Sequence, residues 1–433
     1  MDPTGALKAL VEQIGRTQWA SPGKIDSSQF RHAGLVAEYC NRHSPFFAMR
    51  LRRAGLKPGD LADPAGFERL PVMTRRDVQS AGEDLFCREV PPGHGHVSET
   101  RTSGSTGEPV LIRRTAVNGL FWNAMVMRDL VWHRRNLSGR LCTITALVSE
   151  RAEHEDWGPP ATVFARTGPM LSLPIAADVA RLVEWVAEFR PNFVAMFPST
   201  LDAFTNYCRS HDRALPHVQQ VLTTSETLLP SVRAAAEELF NISVADCYSS
   251  EEFGSIALSC PVSGLYHVMS ESVLAEVLDP QGRPCRPGEI GRVTVTALHN
   301  YATPLVRYNI GDMAEVVASC PCGRGLPTWR RIHGRERNLI LMPNGDRVWP
   351  VLGFRLCRDV APVLQYQLVQ EDRETVEARL VVARPLSATE EDGLRALFHE
   401  WIGYPFALRF AYFEGRIPTG PTGKFEEFVC NVS

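Results

Sequence analysis

The feature that most constrains this chain is a regular alternation between residues 110 and 250. Short apolar or β-branched runs are separated by amphipathic helical stretches. VLIRR (110–114), LCTITAL (141–147), NFVAMFP (192–198), VQQVLTT (218–224) and SVADCYS (243–249) read as strands. DVARLVEWVAEFR (178–190), TLDAFTNYCRSH (200–211) and SVRAAAEELF (231–240) carry helical spacing between them. Strands joined by helices cannot pair as hairpins, so the pattern predicts a mostly parallel α/β sheet.

The flanks differ. The first ~100 residues read as helices and loops, with helical spacing from Ile25 to Arg53 and a capped helix start at Thr74. After Gly264, AEVLD, GRVTVTAL, LVRYNI and MAEVV are strands set between Gly/Pro turns, which predicts a barrel-like antiparallel unit. The last ~95 residues read as a separate α+β unit. At 433 residues the chain exceeds one hydrophobic core. The expected division is a large domain, 1–334, and a small domain, 335–433, parted in the charged stretch HGRERN.

Composition excludes several classes. Hydrophobic residues at 44% and charged residues at 22% fit a folded globular chain. A formal net charge of −3 argues against a nucleic-acid partner, and no apolar run reaches the ~18 residues a membrane helix needs. The polar residues Asp2, Lys8 and Glu12 near the start, and 11 scattered cysteines, point to reduced thiols in a cytoplasm.

Four segments carry chemistry. In Thr102-Ser103-Gly104-Ser105-Thr106-Gly107, glycines let backbone N–H groups approach an anion and hydroxyls add donors, although this is not a Walker loop. In DCYSSEEFG (246–254), a tyrosine at a strand end precedes carboxylates suited to a metal. In RYNIGD (307–312), Asp312 could meet ribose hydroxyls. PTGPTGK (418–424) delivers Lys424, one of only four lysines among 46 basic residues.

In this order, these segments resemble the adenylate-forming superfamily of acyl-CoA synthetases and adenylation domains, and more closely its phenylacetate–CoA ligase-like branch. TSGSTGEP (102–109), TTSETLLP (223–230), DCYSSEEFG, PLVRYNIGDM (304–313), CPCGR (320–324), IHGRERNLI (332–340) and PTGPTGKFEE (418–427) carry the likeness, over roughly residues 30 to 428.

The resemblance implies that residues 102–107 wrap the β- and γ-phosphates of ATP. Ser225 and Glu226 would line the adenine and acyl pockets. Asp246 and Tyr248 would contact adenine, and Glu252 would hold Mg²⁺. Asp312, assisted by Arg335, would bind the ribose, and Lys424 would bridge the carboxylate and α-phosphate. The acyl pocket would draw on 146–157, Thr224–Ser225 and Phe253–Gly254. Glu108, Ser249, Glu251 and Arg337 depart from the family pattern.

Cys260, His267, Cys320 and Cys322 form a Cys₃His set whose halves are ~60 residues apart, flanking the β-rich stretch. Such a set suits a closed structural zinc, as in members of the branch.

The implied activity is activation of an aromatic or other compact carboxylic acid as acyl-adenylate, followed by transfer to coenzyme A. Loading of a carrier-protein thiol or delivery of acyl-AMP to another nucleophile is the alternative. A non-catalytic nucleotide-binding relative is a third. A homodimer is compatible with all three.

Overall fold

A computed structural model describes residues 2–432 except 102–109, 336–338, 349–356, 358, 416 and 419–424. The described residues form two compact units, one running to His333 and the other beginning at Gly334.

In the first unit, the N-terminal region folds as α1 (Pro3–Thr17), α2 (Pro22–His43), α3 (Pro45–Ala54), α4 (Pro64–Glu68) and α5 (Arg75–Ala81). The helical stretch expected over 25–53 is broken at Ser44-Pro45, where proline cannot continue the helix and the Ser44 hydroxyl caps α3 through Phe47 N–H. Thr74 caps α5 in a capping box with Asp77.

A hairpin of β1 (Val97–Arg101) and β2 (Leu111–Thr115) follows, then α6 (Ala116–Trp132). The alternating stretch gives β3 (Leu141–Thr145), β4 (Ala152–His154), β5 (Met170–Pro174), α7 (Val179–Phe189), β6 (Phe193–Met196), α8 (Pro198–Ser210), β7 (Gln220–Thr224), α9 (Pro230–Phe240) and β8 (Ser243–Ser250). Next come β9 (Gly254–Ser259), β10 (Tyr266–Val268), β11 (Val273–Leu278), β12 (Ile290–Ala297), β13 (Tyr308–Val317) and β14 (Thr328–Arg335).

Twelve strands make one mixed sheet, ordered β11-β12-β13-β14-β10-β9-β8-β7-β6-β3-β5-β4. Strands β8, β7, β6, β3 and β5 are parallel. The β-rich stretch after Gly264 is continuous with them: β9 pairs antiparallel with β8, and β10 with β9. The switch from parallel to antiparallel thus falls at the β8–β9 turn, residues 251–253. In open α/β sheets, strand ends at a topological switch are where crevices form.

Two cores support this sheet. One packs Leu182, Val186, Phe204 and Val244 around the parallel strands, and the other packs Ile256, Val268, Val293 and Trp329 around the antiparallel ones. The Arg307 side chain, 2% exposed, forks onto Glu276 at 2.9 and 3.0 Å and donates to the Leu70 carbonyl at 2.7 Å. It ties the helical N-terminal region to β11 and β13. A buried pair of this kind is costly to break because one charge is left unpaired.

The second unit has a short hairpin, β15 (Ile340–Leu341) with β16 (Arg347–Val348). It also has a four-stranded sheet of β17 (Val363–Gln370), β18 (Thr375–Val382), β19 (Ala407–Tyr412) and β20 (Phe428–Cys430), ordered β19-β18-β17-β20. Helix α10 (Ala388–Ile402) crosses between the parallel strands β18 and β19 and buries Leu394, Phe398 and Trp401 in the unit's own core. No helix among the described residues is long and apolar enough to cross a membrane.

Candidate adenylate-forming site

The chemistry-bearing segments of the first unit converge at the β8–β9 turn. On β8, Tyr248 donates its phenol O–H to the Asp312 carboxylate on β13 at 2.6 Å, across 64 residues of sequence. At the end of β7, the Thr224 hydroxyl lies 3.1 Å from the Ser249 hydroxyl. Glu251, in the turn, accepts from Arg114 on β2 at 3.0 Å and from Thr100 on β1 at 3.4 Å. β1 and β2 bracket the Ser/Thr/Gly segment 102–107. That segment, Glu108, Arg337 and Lys424 lie outside the described residues.

The doubled acid in the turn is thereby differentiated. Glu251 is engaged in an ion pair, while Glu252 lines a small cleft together with Phe253, Gly254, Phe121, Trp122 and His299. Gly254 adopts φ +75°, and a Cβ there would sit 3.0 Å from the Trp122 ring, so both backbone and packing favour glycine.

Two of the expected contact residues, Asp246 and Glu226, have protein partners. Asp246 is 4% exposed, and its two oxygens accept from Thr223 Oγ1 at 2.5 Å and Tyr266 O–H at 2.7 Å. Burial pushes its carboxyl upward, opposed by these hydrogen bonds. With both oxygens engaged, its side chain ties β8 to β7 and β10. The Glu226 carboxylate accepts from Ser199 N–H at 2.9 Å and so serves the first turn of α8. Ser225, at φ +73°, ends β7 in a left-handed turn. Arg335 is the last residue of β14.

The cleft contains residues the sequence reading missed. Asn118, Phe121 and Trp122 come from α6, and His299 and Asn300 follow β12. Of the residues expected around the acyl group, Phe253 and Gly254 line this cleft, whereas 146–157 and Thr224–Ser225 do not. The one available signal was the FWN triplet (121–123) inside a largely apolar helix, which reads equally well as core.

The same architecture occurs in known proteins. No family model matches the chain. The phenylacetate-coenzyme A ligase of Thermus thermophilus is 23% identical over 378 residues, covering 83% of this chain and 81% of that protein. A crystal structure of 2-hydroxyisobutyryl-CoA ligase in the postadenylation state, bound to an acyl-AMP, superposes with a TM-score of 0.76 at 19% identity, covering 96% and 92% of the two chains. In sequence the chain is similar to phenylacetate–CoA ligases, and in fold to acid–CoA ligases solved with acyl-adenylates. A more distant neighbour is O-succinylbenzoate coenzyme A synthetase of Bacillus subtilis, solved with ATP and magnesium. It superposes with a TM-score of 0.53 at 16% identity, covering 76% and 68%.

A second cluster lies apart from the cleft. The ligand atoms of Cys260, His267, Cys320 and Cys322 all lie within 4.8 Å of one another. Cys320 Sγ is 3.7 Å from Cys260 Sγ, and His267 Nε2 is 3.2 Å from Cys322 Sγ. A tetrahedral zinc with Zn–S of about 2.3 Å sets an S···S edge of about 3.8 Å, so the donor set fits that ion. The Thr328 hydroxyl lies 3.4 Å from His267 Nδ1, leaving Nε2 turned toward the sulfurs. Burial disfavours the Cys260 thiolate, but hydrogen bonds, His267 first among them, bring the thiol down to about 7. Arg324, whose Nη1 is 4.0 Å from Cys260 Sγ, also stacks on Trp132 and donates to Gln18 at 2.9 Å. Through it the cluster is fastened to the end of α1.

Proposed function

We propose that this chain is an AMP-forming acid–CoA ligase that activates a compact carboxylic acid. One observation carries the reading. Hydrogen bonds between Tyr248 and Asp312, Thr224 and Ser249, and Glu251 and Arg114 bring four segments distant in sequence to one sheet switch point. Three of those segments carry the superfamily likeness, Arg114 follows a fourth in sequence, and the acyl-AMP-bound neighbour has this fold.

In the first half-reaction, the substrate carboxylate attacks the α-phosphorus of ATP. The bond to the bridging oxygen breaks, releasing pyrophosphate and leaving acyl-AMP. The protein positions the reactants and stabilises negative charge spreading over the phosphates. Residues 102–107 hold the β- and γ-phosphates, Asp312 and Arg335 hold the ribose, and Tyr248 lies against adenine, with Ser225 beside it. Thr224, Phe253 and Gly254 shape the acyl side. Mg²⁺, held by Glu252, supplies charge neutralisation at the phosphates. Lys424 bridges the carboxylate and α-phosphate. In the second half-reaction, the thiolate of coenzyme A attacks the acyl carbon and AMP leaves.

Zinc held by the Cys₃His set has a structural role in this reading, since four protein ligands leave no open position. Eleven free thiols fit a reducing, cytoplasmic setting.

ATP–pyrophosphate exchange over a panel of aryl and small alkyl acids tests the proposal, with coenzyme A added afterwards to score thioester. Acid-dependent exchange in the wild type, lowered ~10²–10³-fold in Lys424→Ala, is expected. An absence of exchange with every acid would overturn it.

A further inference from the structure

The cleft beside Glu252 has mostly apolar walls, made by Phe121, Trp122, Phe253, Val273 and Ala297. The space between these walls, open solvent included, is about 370 Å³, an upper bound that limits the cleft to a compact ligand. One polar group in its wall is held in a defined state. The His299 ring stacks on Phe121 with centroids 3.8 Å apart and planes 14° apart, and meets His32 edge-on at 5.4 Å. Its Nε2 lies 2.7 Å from the Glu271 backbone carbonyl. A carbonyl can only accept, so Nε2 carries the hydrogen. Burial, with His32 and His94 nearby, pushes the imidazole down to about 4, so the ring is neutral at ordinary pH. Nδ1 is then a lone-pair acceptor, and no described residue donates to it.

Several other polar groups on this wall are already engaged. Asn300 donates to the Arg113 carbonyl and accepts from Ala302 and Thr303 N–H. Asn118 accepts from Thr115. Arg114 is paired with Glu251. An acceptor fixed by stacking and tautomer in an aromatic wall selects ligands that donate.

We propose that His299 Nδ1 is the specificity-determining atom of the cleft, and that the preferred acid is a small aryl acid bearing a hydroxyl or amino donor. This rests on reading the cleft as the acyl pocket. A neutral acceptor left unpaired by the wrong substrate carries the full loss of its hydrogen bond, so discrimination comes from the unmatched acid as much as from the matched one.

The test compares hydroxy- and aminobenzoates with the methylbenzoates of the same substitution pattern. Each is measured twice on the full chain: by calorimetric binding of the acid alone, and by ATP–pyrophosphate exchange. For at least one ring position, the donor-bearing acid is expected to exceed its methyl counterpart by about 10- to 100-fold in binding and in kcat/KM. His299→Phe keeps the stacked ring and removes the acceptor, and should collapse that ratio to within about threefold or invert it.

Methyl acids that bind and react as well as donor acids in the wild type would overturn the assignment without any need of the variant. An unchanged ratio in a folded His299→Phe protein would do the same. Donor-selective binding that is lost in His299→Phe but accompanied by no exchange would uphold the assignment and sink the adenylation reading. Binding of neither class would overturn the assignment.

Discussion

The Tyr248 phenol donates to the Asp312 carboxylate at 2.6 Å, joining β8 to β13 at the mouth of the candidate site. Asp312 is only 7% exposed, so the tyrosine both orients the carboxylate and supplies a polar partner where water is scarce. A ribose bound there would add its hydroxyls to an acceptor already held in place.

The two residues should therefore differ in a defined way. Asp312→Ala removes a charged acceptor and is expected to raise KM for ATP about 10- to 100-fold, the usual worth of hydrogen bonds to a charged group. Tyr248→Phe keeps the ring and loses the orienting donor, with a rise of less than about tenfold. Initial rates of pyrophosphate exchange at varied ATP give both numbers. A larger effect for the phenylalanine variant would mean that Asp312 is not the ribose acceptor.

Glu251 and Glu252 separate by environment, and so should their variants. Glu251 is paired with Arg114, whereas Glu252 faces the cleft. Glu252→Gln is expected to raise the Mg²⁺ concentration needed for half-maximal exchange by about tenfold or more, because a hard anionic ligand becomes a neutral amide. Glu251→Gln should shift it by less than about threefold. Titration of exchange against Mg²⁺ decides, and reversed effects would move the metal ligand to Glu251.

Much of this arrangement was legible in the chain itself, for reasons that differ by residue. Strands β3, β6, β7 and β8 could be read because buried parallel strands are continuous apolar runs, and the helix from Val179 to Phe189 because its apolar residues recur at helical spacing. The Cys₃His set could be read because its residue types are restrictive. The partners of Asp246 could not be read, because nothing in DCYSS tells that its carboxylate meets Tyr266; that depends on β10, which lies beyond β9 in the sheet. The α6 wall of the cleft was hidden for a similar reason. Phe121 and Trp122 sit in a helix that is apolar almost throughout, so periodicity marks no face as functional.

The metal cluster predicts a stability effect remote from the cleft. Protein purified without chelator should carry about one zinc per chain, and Cys322→Ser should lower the melting temperature, with any loss of exchange tracking loss of folded protein. The Arg324 bridge from Cys260 to Gln18 adds a local expectation: the end of α1 should gain amide exchange when the metal is removed. Elemental analysis below a tenth of an equivalent would refute zinc binding. A loss of exchange activity in a protein with an unchanged melting temperature would place the metal nearer the chemistry.

His299 predicts a pH dependence of folding. Its folded-state value is pushed down to about 4 by burial, against about 6.5 when unfolded. Between those values the unfolded chain binds more protons than the native one, so stability rises with pH across this window and levels off above it. Seen from the other direction, the contribution is fully present above about 6.5 and lost as the pH falls toward 4. The imidazole alone would account for about 2–3 kcal/mol over that range. Other buried histidines, such as His133 and His333, are also pushed down, so the wild-type curve is a sum. The contribution of His299 is isolated by difference. His299→Phe retains a ring against Phe121 and cannot titrate. Urea unfolding of both proteins from pH 4 to 7.5 should therefore give curves that diverge as the pH rises, the wild type gaining on the variant until about pH 6.5. Parallel curves would show that the imidazole titrates normally in the folded protein, and that Nδ1 is not held as a neutral acceptor.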